Sequence, residues 1–282
     1  MPRFAYVNGR YVPHAEASVH IEDRGYQFAD GVYEVVPVLN GRMIDEEPHL
    51  DRLDHSLREL RIGRPMSRAV LKLILRELLR RNGLTDGLLY MQVTRGVAPR
   101  DHKFPKAAKP ALVVTTKRTK STPAALVENG VRVITVPDIR WKRCDIKSVS
   151  LLPNVLAKQQ AVETGAFEAW QIDERGFITE GSSTNAWIVT EDGVLVTRNA
   201  NEAILNGITR QAVIRLTNAA GVAFEQRPFS LAEAKTAREA FLTSSSGHVL
   251  PITRIDDTVV GDGRPGEITR RLRAAYLDYV AA

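Results

Sequence analysis

Residues 131–161 read VRVITVPDIRWKRCDIKSVSLLPNVLAKQQA. The first seven are rich in β-branched side chains and end on proline, as a strand does where its ladder stops. A helix is expected from Asn154 to Thr164, with Gly165 as its stop. Between the two lie Arg140 and Lys147. A lysine acts as a nucleophile only when its amine is partly neutral, and neighbouring cations or burial lower its pKa to that point. Arg140, seven residues earlier, is such a cation and also a partner for an oxyanion. Taken alone, Lys147 reads as one more surface lysine, the usual place for that residue.

Downstream, EAWQID (168–173), FITE (177–180), NAWIVT (185–190) and VLVT (194–197) are closely spaced strands, the pattern of a small barrel or folded sheet. Later helices are marked by ITRQAVIRLTNAAG (208–221), with Gly221 as stop, by a capping box at Ser230 and Glu233, and by amphipathic ITRRLRAAYLDYV (268–280). Upstream, TKSTPA (119–124) is polar, holds a proline and lacks periodicity, which makes it a linker. The expected domains are residues 1–119 and 125–282, joined by 120–124. In the first, FAYVNGRYV (4–12) and YEVVPVLNGRMI (33–44) place Asn8-Gly9 and Asn40-Gly41 between β-rich arms, the signature of type I′ hairpins. Leu50, Leu53, Leu57 and Leu60 recur at helical spacing. Ser67 opens a second helix that stops at Asn82-Gly83, and LLYMQVT (88–94) and ALVVTT (111–116) follow as strands. The fold class is α/β of the α+β type, a small N-terminal α/β domain followed by a larger, barrel-like C-terminal α/β domain.

With 44% hydrophobic and 26% charged residues the chain can bury a large core, which excludes wholesale disorder. Lysine and arginine total 39 against 33 acids, a net +6, but the basic residues are spread out and do not form a nucleic-acid footprint. The single cysteine, Cys144, has no partner for a disulfide or a Cys-x-x-Cys site, as expected of a reducing compartment. No apolar run reaches membrane-spanning length, and MPRFAYVNGRYVPHAEA lacks the layout of a signal peptide, so a soluble, cytoplasmic protein is expected. Dinucleotide, P-loop, zinc-protease and α/β-hydrolase motifs are missing, and no metal site is expected. His49 and His55 are near one another on a charged helix and read as solvated surface residues.

Three hydroxyl-rich clusters remain: ITEGSSTNAW (178–187) with one acid, Glu180, NGITRQ (206–211) opening a helix, and LTSSSGHV (242–249) ending a strand. A helix start flanked by hydroxyls favours a phosphate, because its amides and dipole both attract an anion. Each cluster singly is also a polar turn. Together with Lys147 they ask for a phosphate, an aldehyde for the lysine and a ring nitrogen for the acid. Pyridoxal 5′-phosphate has all three.

YQFADGVYEVV (26–36), HLDRL (49–53), YMQVTRGVAPRDHKFP (90–105), DIRWKRCDIKS (138–148), LAKQQA (156–161), TEGSSTN (179–185), ILNGITR (204–210) and FLTSSS (241–246) give the whole chain a resemblance to the fold-type IV aminotransferases. Within that family it is most similar to the branch acting on D-amino acids. The resemblance implies that Lys147 carries the cofactor aldehyde, Glu180 partners the pyridine nitrogen and Arg140 lies beside the ring hydroxyl. It assigns the phosphate to Arg52, Ile208, Thr209, Ser244 and Ser245, and places Leu205 under the ring. Tyr33, Arg100 and His102 would trap the substrate's α-carboxylate, the latter two reaching across a homodimer interface, with Ser182 and Ser246 also facing substrate. Relatives often carry threonine where Ser245 and Ser246 stand. The implied reaction is a ping-pong exchange between a D-amino acid such as D-alanine and a 2-oxo acid such as 2-oxoglutarate, with the cofactor expected in the cleft between domains. Rivals on the same scaffold are branched-chain aminotransferase, R-selective amine transaminase and aminodeoxychorismate lyase. A basic module binding anions or RNA is the rival of another class, but the sequence shows no aromatic stacking platform for it.

Overall fold

The computed structural model describes residues 3–219 and 221–282. They fall into two compact units, one of residues 1–120 with 146–150, the other of residues 121–145 with 151–282.

In the first unit the strands are β1 (Phe4–Val7), β2 (Arg10–Pro13), β3 (Gly31–Leu39), β4 (Arg42–Met43), β5 (Gly87–Thr94) and β6 (Ala111–Arg118). They form one sheet in the order β2-β1-β6-β5-β3-β4, antiparallel at every pairing. Asn8 and Gly9, and likewise Asn40 and Gly41, have positive φ, so both Asn-Gly turns are of the I′ kind, whose twist matches the strands they join. Helices α1 (Arg24–Phe28), α2 (Glu46–Glu59) and α3 (Arg68–Asn82) complete the unit. The Ser67 side chain accepts from Val70 N–H at the start of α3, and Gly83 ends that helix in the left-handed conformation. Leu50, Leu53 and Leu57 of α2 and Leu71, Leu75 and Leu78 of α3 bury against Val32, Val36, Leu89 and Met91 on one face of the sheet.

The segment 146–150 was expected in the second half but packs on the first unit. Strand β3 has an unpaired edge at residues 31–33, and unpaired backbone groups need partners. Tyr33 N–H donates to Lys147 C=O at 3.0 Å and Val149 N–H to Gly31 C=O at 3.0 Å, while Ile146 enters the apolar core.

The second unit holds α4 (Ala124–Asn129), β7 (Val131–Pro137), α5 (Leu152–Glu163), β8 (Glu168–Ile172), β9 (Ile178–Gly181), β10 (Asn185–Val189), β11 (Leu195–Thr197), α6 (Ile208–Ala219), β12 (Phe224–Gln226), α7 (Leu231–Thr236), β13 (Glu239–Ser244), β14 (His248–Ile255), β15 (Thr258–Val259) and α8 (Glu267–Ala281). Its sheet runs β12-β11-β10-β13-β14-β7-β8-β9, with β15 on β14. Ile178 N–H donates to Phe229 C=O and Phe177 pairs with Ser230, so β9 at one end meets the chain leaving β12 at the other. The sheet thereby curls back on itself, as the barrel-like reading required. Strands β8, β9 and β10 are buried nearly throughout, so the polar residues they carry, Glu168, Gln171, Glu180 and Asn185 among them, lie inside the protein and need partners there. The Ser230 hydroxyl caps α7 by accepting from Glu233 N–H, but the Glu233 carboxylate is taken by Arg227, so only half of the expected capping box forms. Among the described residues no helix is long and apolar enough to cross a membrane, and no group of side chains is arranged to hold a metal.

Candidate active site

In the first unit, Lys147 is fixed at its backbone by the β3 edge and by its own N–H, which donates to the Ser56 hydroxyl at 3.1 Å. Its amine lies 4.2 Å from the centroid of the Tyr33 ring. The next residue of β3, Glu34, faces the opposite side and is fully buried. Arg52 of α2 forks onto it, Nε donating to one oxygen at 2.8 Å and Nη2 to the other at 2.9 Å. His49 Nδ1 lies 2.8 Å from the same carboxylate. Expected on the surface, His49 is instead 1% exposed, because one turn from Arg52 it shares the buried face of α2. Burial holds the His49 pKa below its ordinary value despite Glu34, and the charges of Arg52 and Lys147 push the same way. A neutral ring facing an acceptor-only carboxylate must donate through Nδ1.

Burial alone would raise the Glu34 pKa, but Arg52 and His49 outweigh it and hold the carboxyl down at about 2. A folded pKa below the ordinary 4.5 contributes stability above that value, lost as pH falls from about 4.5 towards 2. Glu34→Gln should lower the unfolding free energy by about 3–5 kcal/mol near neutral pH, the usual cost of leaving a buried charge without its partner. The urea midpoint measures this, and a loss under about 1 kcal/mol would show that the triad contributes little.

Arg100 and His102 sit on the loop between β5 and β6, both exposed. The Arg100 guanidinium lies over the Phe28 ring at 4.5 Å and the His102 ring is 5.3 Å from it. No carboxylate among the described residues pairs with Arg100. Tyr33 meets Tyr90 at 5.7 Å on the sheet face away from α2 and α3.

In the second unit, Glu180 is the penultimate residue of β9 and is buried. It accepts from Arg140, from Asn185 Nδ2 at 3.0 Å and from Leu205 N–H at 3.1 and 3.2 Å. Arg140 is in turn held by Asp138, whose oxygens accept from Nε at 2.9 Å and Nη2 at 2.7 Å, and Thr179 donates to the same carboxylate at 2.7 Å. Burial opposes the Arg140 charge, but Glu180 and Asp138 more than restore it and raise its pKa. Asn185 also donates to Leu205 C=O at 2.9 Å. A Cβ on Gly207 would come within 2.1 Å of the Asn185 amide oxygen, so glycine is required there if Asn185 is to hold Glu180 and Leu205 together. Asp138, Thr179 and Asn185 were not singled out from the sequence. The Asp-x-Arg spacing at 138–140 was the available signal.

Gly207 leads into α6, whose first residues, Ile208 and Thr209, are buried. The first turn of any helix leaves amides without intrahelical partners. Arg210 in that turn is 2% exposed and donates only to neutral acceptors, Asn206 Oδ1 at 3.0 Å, Arg198 C=O at 2.8 Å and Gln226 Oε1 at 2.8 Å. Without a hydrogen-bonded anion its pKa is pulled down by burial to about 10. Ser244 to Ser246 turn β13 into β14, and the Ser244 hydroxyl accepts from Gly247 N–H at 2.9 Å. Ser245 is half-buried and Ser246 exposed. Ser182, expected to face substrate, turns its hydroxyl to the buried Glu168, which also accepts from the Ser183 hydroxyl at 3.1 Å. Burial pushes the Cys144 thiol up to about 12, so it is no nucleophile at neutral pH.

The family profile for amino-transferase class IV matches residues 31–255. The D-alanine aminotransferase of Bacillus licheniformis is 42% identical over 273 residues, covering 97% of this chain and 95% of that one. Among solved structures, the branched-chain amino acid aminotransferase of Escherichia coli superposes with a TM-score of 0.92 at 23% identity, covering 99% and 95% of the two chains, a likeness of fold alone. A second branched-chain amino acid aminotransferase, from T.th. and solved with pyridoxamine 5′-phosphate, gives 0.91 at 25% identity over 99% and 94%.

Proposed function

The chain belongs to the class IV aminotransferases, and from that premise we propose that it transfers the amino group of a D-amino acid, D-alanine foremost, to a 2-oxo acid such as 2-oxoglutarate. The side chains suit pyridoxal 5′-phosphate. One unit offers an amine held over an aromatic ring, the other a carboxylate fixed by three donors and a helix start with a buried arginine that lacks a paired anion. Bound, the cofactor supplies an aldehyde for the amino nitrogen and a protonated ring that accepts the electron pair left on Cα.

Lys147 is the amine that holds the aldehyde between turnovers and moves the proton to and from Cα. Glu180 keeps the ring nitrogen protonated, with Arg140 beside the ring hydroxyl and Leu205 beneath the ring. Ile208, Thr209, Ser244 and Ser245 take the phosphate with Arg52, which Glu34 orients. Tyr33 and, from a second copy in a homodimer, Arg100 and His102 hold the substrate's α-carboxylate, with Ser246 nearby. Ser182 serves through Glu168, shaping the turn that follows Glu180.

The observation that carries the choice of substrate is Arg100, its guanidinium over the Phe28 ring and no carboxylate among the described residues paired with it. An arginine so placed can fork both oxygens of an incoming carboxylate. With carboxylate and nitrogen both pinned, only one enantiomer turns its Cα hydrogen towards Lys147. Arg100→Ala should lower kcat/KM for D-alanine roughly ten- to a hundred-fold, the value of one charged hydrogen bond, and leave an amine without a carboxylate almost unaffected. Equal losses for both would sink the assignment, as would a preference for L-alanine over D-alanine.

A further inference from the structure

The loop that carries Arg100 and His102 is gripped residue by residue from inside its own unit. Asp30, between α1 and β3, has one oxygen accepting from Arg24 Nε at 2.8 Å and Arg95 Nε at 2.7 Å, and the other from Arg95 Nη2 at 3.0 Å. The side chains of both arginines are under 10% exposed, at 4% and 9%. Two nearly buried cations thus share one carboxylate.

Each arginine reaches the loop. Arg24 Nη1 donates to Asp101 C=O at 2.5 Å, and the Arg24 guanidinium lies over Phe28 at 4.8 Å. The same ring meets Arg100 at 4.5 Å and His102 at 5.3 Å. Arg95 donates to Leu60 C=O at 2.8 Å and Arg61 C=O at 3.0 Å, which ties it to the end of α2, and lies 3.7 Å from the Phe104 ring. Residues 100, 101, 102 and 104 are therefore all held by groups that converge on Asp30. Lys103 is excepted: it is exposed, and its amine pairs with Asp101 of the same loop at 3.1 Å.

We infer that Asp30, acting through Arg24, Arg95 and Phe28, is the positioning residue that sets the Arg100–His102 loop for recognition of the substrate carboxylate. The inference rests on the role proposed above for Arg100. A recognition group must be held within about 0.5 Å to act, and a loop gains that precision only from the scaffold beneath it. A guanidinium held over a ring spends no hydrogen-bond donor on that contact, so Phe28 holds Arg100 and leaves its N–H groups for a carboxylate. Asp30 neutralises one of two adjacent cations, which lets the platform pack while leaving the surroundings of Arg100 positive. Burial would raise the Asp30 pKa, but the hydrogen bonds and charges of Arg95 and Arg24 hold it below the ordinary carboxylate value, so the clamp persists at neutral pH.

The test uses the cofactor-loaded enzyme with Asp30→Asn, Phe28→Leu, Phe28→Tyr and Arg100→Ala. Asp30→Asn and Phe28→Leu should raise KM for D-alanine about ten-fold with kcat little changed, the pattern of lost uniform binding, and leave an amine without a carboxylate unaffected. Trypsin should cut faster after Arg100 and Lys103 in both. Phe28→Tyr keeps the ring face and should behave as the unmodified enzyme. Unchanged KM and cleavage in Asp30→Asn, or a Phe28→Leu loss that is equal for the two substrates, overturns the inference. If Asp30→Asn does not fold, the two Phe28 variants decide. A harmless Arg100→Ala instead defeats the carboxylate role itself, whereas a damaging Arg100→Ala beside silent Asp30 and Phe28 variants defeats only the positioning.

Discussion

Lys147→Ala is expected to lose the visible absorbance of covalently held cofactor and at least about three orders of magnitude in turnover, combining a lost nucleophile with a lost proton carrier. The backbone of Lys147 has a structural part as well: its carbonyl accepts from Tyr33 N–H and its N–H donates to Ser56. Alanine keeps both bonds, so the thermal midpoint should stay within a few degrees. The amine itself touches the Tyr33 ring, and no carboxylate is shown paired with it. Loss of activity with retained stability is thus the signature of a chemical role. Lys147→Arg should be no better, since a guanidinium is not deprotonated in proteins and cannot attack an aldehyde. Near-normal turnover in either variant, measured with D-alanine and 2-oxoglutarate, would remove Lys147 from the mechanism.

What could be read without coordinates was local. The two Asn-Gly turns, the Ser67 cap and the Gly83 stop depend on backbone chemistry within a few residues, and each appears where the pattern put it. What escaped depends on pairings between distant segments. Residues 146–150 follow a strand of the second unit, and nothing in CDIKSVS tells that their hydrogen bonds go to the edge of β3. Glu34 stands in the strand YEVV, where a charged residue between apolar ones ordinarily marks the solvent face. Here it lies on the core face with Val32 and Val36, because Arg52 and His49 of α2 satisfy it. Reading His49 as solvated rests on the charged residues around it on that helix. The spacing of His49 to Arg52, one turn on the side of Leu50 and Leu53, was the overlooked sign.

Glu180→Gln carries the second large effect, and its geometry predicts more than the loss of a charge. The Glu180 carboxylate accepts from Arg140, Asn185 and the Leu205 amide, so every neighbour shown around it is a donor. An amide side chain replaces one acceptor oxygen by an NH2, which must either face one of those donors or turn towards the ring. Turned towards the ring, it is a neutral donor against a nitrogen that has to carry a proton, and the direct charge pairing that raises that nitrogen's pKa is gone. The fixed environment permits little relaxation: Asp138 and Thr179 immobilise Arg140, and Asn185 is wedged against Gly207. Removing one pre-organised charge of this kind typically costs about 10²–10³ in kcat. Cofactor should still bind, because Lys147, Arg52 and the start of α6 are untouched, so the visible absorbance remains while turnover falls. Glu180→Asp keeps the charge on a shorter arm and should fall between the two. If Glu180→Gln matched the unmodified enzyme in kcat, the carboxylate would be no more than a ligand for Arg140. If it lost cofactor altogether, Glu180 would anchor the ring more than activate it.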